Sequence, residues 1–373
     1  MKVLILCDRY LPVSEQFIWY QIQALKEHDL YLFCRKRDKN KREDSFFAKQ
    51  CFWYDHLIFR LRYKLLGGAE QYPVFVQHFL HSFIKENQID LIYIHYGTTA
   101  VKYEDLLSTL NLPIICAFHG FDASRKLENS FYKSSIKRLS HRFSSITVPS
   151  QYLKEKLVAA GLRAESIVVL PYGTDIDKIT AIAPERISEK LTIVHAGRIV
   201  PKKGVTDLIK VFIQLSKAHN DVQLLVIGGG EEEKEAVQLA RESLFSSRIH
   251  FTGQLQHDHL IRLLKGADIF VLNSRTSDNG ETEGLPNSII EAMAAGVPVI
   301  STRHSGISEM IEDGVNGLLV TPKSNKELFA ALDKMIKDKD LRNYLTTNAR
   351  LYVRENLSLS GMAVRIQSLV NSL

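Results

Sequence analysis

The stretch Glu283-Gly284-Leu285-Pro286-Asn287-Ser288-Ile289-Ile290-Glu291-Ala292-Met293-Ala294-Ala295-Gly296-Val297-Pro298 reads as loop, helix, turn and the start of a strand. Pro286 suits the first turn of a helix, where a missing N–H costs nothing. Ile289, Ile290, Met293 and Ala294 give that helix an apolar face. Gly296 falls where a left-handed C-cap is wanted, and Val-Pro-Val-Ile then opens a buried strand. A helix N-terminus aimed into a cleft offers backbone N–H groups and positive potential to a phosphate. Two carboxylates frame the helix, Glu283 before it and Glu291 inside it. A carboxylate on so apolar a segment needs partners, and the two hydroxyls of a ribose would serve. A helix-capping Glu283 with Glu291 salt-bridged to a nearby Arg would explain the same residues, and the pair alone leaves both readings open.

Working outward, strand-like apolar runs alternate with helix-period segments along the whole chain, the pattern of parallel sheets wrapped by helices. Strands are expected near 3–7, 30–34, 91–95, 113–118, 145–148 and 167–170. A second set is expected near 191–196, 222–227, 248–251, 268–272, 298–301 and 318–320. Two six-strand open α/β sheets follow, joined by a linker over 171–190, with helices at 324–337, 339–354 and 358–372 closing the chain. At 373 residues there is room for two domains, each with its own core.

Composition narrows the class. Hydrophobic residues make up 45% and charged residues 24%, the balance of a soluble globular protein. Cys7, Cys34, Cys51 and Cys116 show no metal-type or redox-type spacing, which suits buried thiols in a reducing cytosol. The apolar opening Val3–Cys7 is cut short by Asp8 and Arg9, too early for a signal peptide, and no run reaches membrane-span length. Residues 1–180 carry 25 Lys+Arg against 19 Asp+Glu, while residues 181–373 carry 23 of each. The whole net charge of +6 therefore lies in the first half, which points to an anionic partner there.

The turn after the first strand, Asp8 to Phe17, has no glycine, and Arg35-Lys36-Arg37 stand at the end of the second strand instead of an acid. A nicotinamide dinucleotide enzyme is disfavoured on both counts. Residues 35–66 join a basic run to an aromatic one. That composition suits an anionic bilayer surface, or equally a helix buried on one face beside a solvated loop. Nucleic acid is disfavoured, since no recognised motif accompanies the charge.

In open parallel sheets, ligands gather beyond the carboxyl ends of the strands. His119, in Ala117-Phe118-His119-Gly120-Phe121-Asp122, falls there, with Asp122 near enough to orient its ring; a structural histidine is the competing reading. Arg198 and Lys203 flank a strand-to-helix turn in Gly197-Arg198-Ile199-Val200-Pro201-Lys202-Lys203-Gly204. Two cations beside a helix N-terminus would hold a diphosphate. Gly253-Gln254-Leu255 could line a flat base pocket. His257 and His259 lack a third metal ligand and are expected to be merely exposed.

Together these motifs resemble the family 4 retaining glycosyltransferases, and bacterial exopolysaccharide and colanic-acid-type members in particular. The residues that carry the likeness are Glu283 and Glu291 with seven residues between them, the turn from Gly197 to Gly204, and the Phe118–Asp122 segment. Val148-Pro149-Ser150-Gln151-Tyr152 and Pro171-Tyr172-Gly173-Thr174-Asp175 add to it. The resemblance implies the GT-B architecture, two Rossmann-like domains whose parallel sheets face a central cleft. The acceptor domain would be 1–175, joined by the closing helix at about 358–373, and the nucleotide-sugar domain 176–357. Glu291 would bind the ribose, Arg198 and Lys203 the diphosphate, and Glu283 with Gly284, Leu285 and Asn287 the donor sugar. His119 would approach the reacting sugar from the other domain. The donor would be a UDP- or GDP-sugar and the acceptor a saccharide, free or lipid-linked, with no metal and no cofactor. The enzyme would then be cytoplasmic, peripheral on the inner face of the plasma membrane. Many relatives carry a glycine-rich turn where this chain has Pro12-Val13-Ser14-Glu15-Gln16-Phe17, so Ser14 and Glu15 are the acceptor-side candidates. A catalytically idle partner in a glycan assembly complex, or a GT-B epimerase or phosphorylase, are the other classes these residues admit.

Overall fold

The computed structural model describes residues 1–10, 16–37, 48–53 and 71–373. Ser14, Glu15 and most of the basic and aromatic segment 35–66 lie outside them. The described chain divides into two units, Met1–Pro171 with Met362–Leu373, and Tyr172–Gly361.

The first unit is built on a parallel sheet. Its strands are β1 Lys2–Tyr10, β2 Asp29–Arg37, β3 Ala48–Trp53, β4 Leu91–His95, β5 Ile114–Ala117, β6 Ser145–Val148 and β7 Ile167–Val169. They lie in the order β3-β2-β1-β4-β5-β6-β7. Val3 pairs with Leu30 on one side and Leu91 on the other, so the strand order reverses between β1 and β4. The sequence reading expected six strands here; β3 is the seventh. It pairs with β2 at the sheet edge. Ala-Lys-Gln-Cys-Phe-Trp alternates poorly, which hid the strand inside an aromatic run. Every residue of β4 and β5 is buried. Helices cover both faces of such a sheet, so its strands read as unbroken apolar runs.

The second unit repeats the plan with β8 Leu191–Ala196, β9 Val222–Ile227, β10 Ile249–Gly253, β11 Ile269–Leu272, β12 Val299–Thr302 and β13 Leu318–Val320. Their order, β10-β9-β8-β11-β12-β13, puts the reversal between β8 and β11. Ile193, Leu224, Val226, Val271 and Ile300 sit in one buried core with the Val205–Leu215 helix. Full burial of each such side chain contributes roughly 1.5–3 kcal/mol. The segment read as a linker holds a short helix, Ile176–Ala181. Thr174 N–H donates to Leu357 O at 2.9 Å, and Leu359 N–H to Thr174 O at 3.0 Å. The closing residues from Met362 on belong to the first unit, with Met362, Ile366 and Val370 buried.

Candidate active site

The sharpest electrostatic feature of the second unit lies at its strand reversal, where adjacent strands send their connections to opposite faces and leave a crevice. The turn after β8 and the loop after β11 flank it. Pro201 opens a 3₁₀ turn, Pro201–Lys203, that ends at Gly204 with φ 63°. A Cβ on Gly204 would stand 2.3 Å from Asn273 O. Only glycine fits both that backbone and that approach, so the lysine turn can press against the β11 loop. Arg275 braces the same turn, its N–H donating to Lys202 O at 2.8 Å and its Nε to Pro201 O at 2.9 Å. Arg275 also pairs with Asp207.

This packing brings three cations onto two carboxylates. Lys203 Nζ lies 3.0 Å from Glu283 Oε1, and Lys202 Nζ 3.9 Å from the same oxygen. Lys202 Nζ also stands 2.6 Å from Glu281 Oε1, with Arg198 Nη2 at 3.8 Å from it. Glu283 and both lysines are buried, whereas Arg198 is exposed. Burial pushes the Glu283 carboxyl up, but Lys203 and Lys202, with Arg198 beyond, outweigh it and hold the group at about 2. Burial pushes the Lys203 ammonium down, against the pull of Glu283. An isolated buried charge is costly, so each group here depends on the others. His195 lies beneath the turn, its Nδ1 3.2 Å from Val271 O, and burial with the Lys203 charge lowers it to about 4.

Gly284 and Leu285 are buried next to Glu283, and Asn287 opens the Asn287–Ala295 helix. No side chain caps that helix, whose first-turn N–H groups are natural donors to an anion. Gly296 closes it in the left-handed conformation, φ 78°. Glu291 is not paired with an arginine. Its Oε1 lies 2.9 Å from His257 Nε2. His257, expected to be exposed, is largely buried at the start of the His257–Lys265 helix; His259 is more open, 3.6 Å from Glu185. Gly253 ends β10, its carbonyl oxygen accepting from Gly228 N–H at 2.9 Å, and Leu255 lies in the turn leading into that helix.

In the first unit, β4 and β5 end on His95 and, two residues past Ala117, His119. His95 Nδ1 and His119 Nε2 are 3.2 Å apart, with the rings stacked at 5.4 Å. Tyr96 meets the His119 ring edge-on at 4.6 Å, and Phe17 lies at 4.8 Å. Tyr96 holds φ at 73°, strained for a side chain of its size and often a mark of a functional position. Burial lowers His95 to about 3, and burial with His95 lowers His119 well below the usual imidazole range. Asp122 binds the His119 backbone N–H and not its ring. It is fully buried, and its oxygens accept the backbone N–H groups of Gly97, His119 and Gly120 at 2.9, 2.9 and 3.2 Å. Its work is to tie the loop after β5 to the one after β4.

Sequence reasoning missed His95, although it ends a strand by the same logic that singled out His119. It also passed over Lys202, which stands beside Lys203 in the quoted motif. Glu281, Arg275 and the partnership of His257 carried no local signal, because each meets its partner only through the fold. Among the described residues, no group of three or more His, Cys, Asp or Glu is placed to hold a metal ion.

Two doubly wound α/β units in one chain define a class. The chain aligns over the full length of both proteins with Anabaena HepE, solved in complex with UDP-glucose, at a TM-score of 0.83 and 21% identity. That class is the GT-B architecture. Residues 14–178 match the family described as Glycosyltransferase Family 4, and residues 177–352 that described as Glycosyl transferases group 1. The chain belongs to these glycosyltransferases. The amylovoran biosynthesis glycosyltransferase AmsK of Erwinia amylovora is 30% identical over 245 residues, 65% of this chain and 60% of AmsK. A GDP-mannose-dependent phosphatidylinositol monomannoside mannosyltransferase of Corynebacterium glutamicum is 29% identical over 270 residues, 69% of this chain and 70% of that protein.

Proposed function

We propose that this protein is a retaining, metal-independent glycosyltransferase that moves a sugar from a UDP- or GDP-sugar to a lipid-linked saccharide in bacterial cell-surface polysaccharide synthesis. The observation that carries the reading is the cluster of Arg198, Lys202 and Lys203 at the β8/β11 reversal, held on Glu281 and Glu283 in the loop that leads into an uncapped helix N-terminus. A nucleotide-sugar already has a good leaving group, so catalysis consists largely of stabilising charge that develops on the diphosphate. Arg198, Lys203 and the Asn287–Ala295 helix would supply that stabilisation. Glu283, held ionised by its lysines, is no proton donor at neutral pH; it suits accepting hydrogen bonds from donor-sugar hydroxyls alongside Gly284, Leu285 and Asn287. Glu291 would take the ribose. His119, just beyond the carboxyl end of β5, would contact the reacting sugar.

In a retaining transfer without an enzyme-linked intermediate, the acceptor oxygen bonds to the anomeric carbon on the face the phosphate leaves. The carbon–phosphate oxygen bond breaks, and the departing phosphate oxygen takes the acceptor's proton. The name of the Corynebacterium relative supports a GDP-sugar and a lipid acceptor, the HepE complex a UDP-sugar, and AmsK a place in polysaccharide assembly. Incubation with a panel of UDP- and GDP-sugars should release nucleoside diphosphate in the presence of a lipid-linked saccharide, with the anomeric configuration kept. Calorimetry on Glu291→Ala should show affinity for the preferred nucleotide weakened by about one to two orders of magnitude, as a charged hydrogen bond worth roughly 1.5–3 kcal/mol implies. No release with any donor, and unchanged affinity in the variant, would remove this reading.

A further inference from the structure

We infer that His257 is the positioning residue for Glu291, and that through it the site distinguishes a ribonucleotide from a deoxyribonucleotide. This rests on the reading above that Glu291 receives the ribose. The two side chains come from different elements, the His257–Lys265 helix and the Asn287–Ala295 helix, and each keeps only 15% of its surface exposed. His257 Nε2 and Glu291 Oε1 are 2.9 Å apart. The other ring nitrogen, Nδ1, is buried without a hydrogen-bond partner; the nearby Asp258 Oδ1 lies 3.8 Å away and is held by Lys178 Nζ at 2.7 Å. With no acceptor at Nδ1, the ring proton that matters sits on Nε2, and the imidazole donates to the carboxylate.

The consequence is a carboxylate fixed at one oxygen. Glu291 Oε2 takes no hydrogen bond from any described residue, and Oε1 keeps its second lone pair. Two acceptor positions in one locked plane match two adjacent hydroxyls, the 2′ and 3′ groups of a ribose. Without His257, the glutamate side chain regains its rotamers and can follow whatever donors remain. A site that holds its acceptors rigidly penalises a ligand lacking one hydroxyl, because a buried polar group is left unpaired; a site that relaxes does not.

The test is the ratio of dissociation constants for UDP and 2′-deoxy-UDP by calorimetry, or for GDP and 2′-deoxy-GDP if guanosine is preferred. Wild type should favour the ribonucleotide by about tenfold or more. His257→Ala and His257→Asn, which remove the ring or shorten its reach, should bring that ratio below about threefold. His257→Gln, which can still donate to Oε1, should keep most of it. A residue that merely packed would lower affinity for both ligands and leave the ratio alone. Discrimination intact in both His257→Ala and His257→Asn would overturn the assignment of His257 while leaving Glu291 in place. A wild type that binds both ligands equally, or a Glu291→Ala that still discriminates, would remove the ribose reading and this inference with it.

Discussion

Removing Lys203 would leave the Glu283 carboxylate buried without its nearest cation. The 3.0 Å pair makes Lys203→Ala a change to the fold as well as to the site. Breaking one side of a buried pair costs about 3–5 kcal/mol, whereas removing both charges costs much less. Urea denaturation should therefore find Lys203→Ala strongly destabilised and Lys203→Ala with Glu283→Ala partly recovered. Equal losses in the two would mean the pair is not coupled. Glu281 has the opposite character, since it sits on Lys202 and Arg198, where a diphosphate would compete with it. Glu281→Gln should tighten UDP or GDP binding about three- to tenfold; unchanged or weaker binding would show that no such competition exists. His119→Ala should spare nucleotide affinity and lower turnover on the order of a hundredfold, the effect of losing one transition-state contact. Steady-state kinetics beside calorimetry separates the two effects.

At the scale of elements, both sheets carry buried histidines at the carboxyl ends of strands, His95 the last residue of β4 and His195 the last but one of β8, and burial lowers them to about 3 and about 4. Unfolded histidine titrates near 6.5, so below that pH the unfolded chain binds more protons than the native one and stability falls. Each such group contributes up to about 1.4 kcal/mol per pH unit. Unfolding free energy should drop between pH 7.5 and 5.5, with a shallower slope in His95→Gln; a flat profile in wild type would contradict neutral burial. The elements themselves were largely legible. Unbroken apolar runs gave twelve of the strands, and Gly296 announced its C-cap, because these signals are local and periodic. The edge strand β3 was not, lacking alternation. Nor were the site's cross-connections: Lys203 with Glu283, His257 with Glu291 and His95 with His119 join residues at least 24 positions apart. Sequence placed Lys203, Glu283 and His119 after strand ends without saying which residues they would meet, and passed over His95.

For the whole molecule, the charge asymmetry points to where the acceptor half would work. The +6 excess lies within residues 1–180, and on the Val74–Asn87 helix Val74, Phe75 and Phe79 keep half or more of their surface exposed. No described helix is long and apolar enough to cross a membrane. Each Lys or Arg near an anionic surface adds about 1 kcal/mol, and salt screens the attraction as the Debye length shrinks to about 3 Å at 1 M. Flotation should find the protein on anionic liposomes at low salt, released by high salt and weakened when Arg35, Lys36 and Arg37 become Ser; wild type left in the soluble fraction at low salt would end the membrane proposal. The return of the closing helix to the first unit also sets an order of events during synthesis. Tyr172–Gly361 is continuous, whereas the first unit requires Met362–Leu373, whose Gln367 Nε2 donates to Ala24 O at 3.2 Å. A ribosome adding about 5–20 residues per second takes roughly 10–40 s to make the 190 intervening residues. The half that emerges first is thus completed last, and until then the surface that will receive Met362, Ile366 and Val370 stands open to chaperones and to other nascent chains.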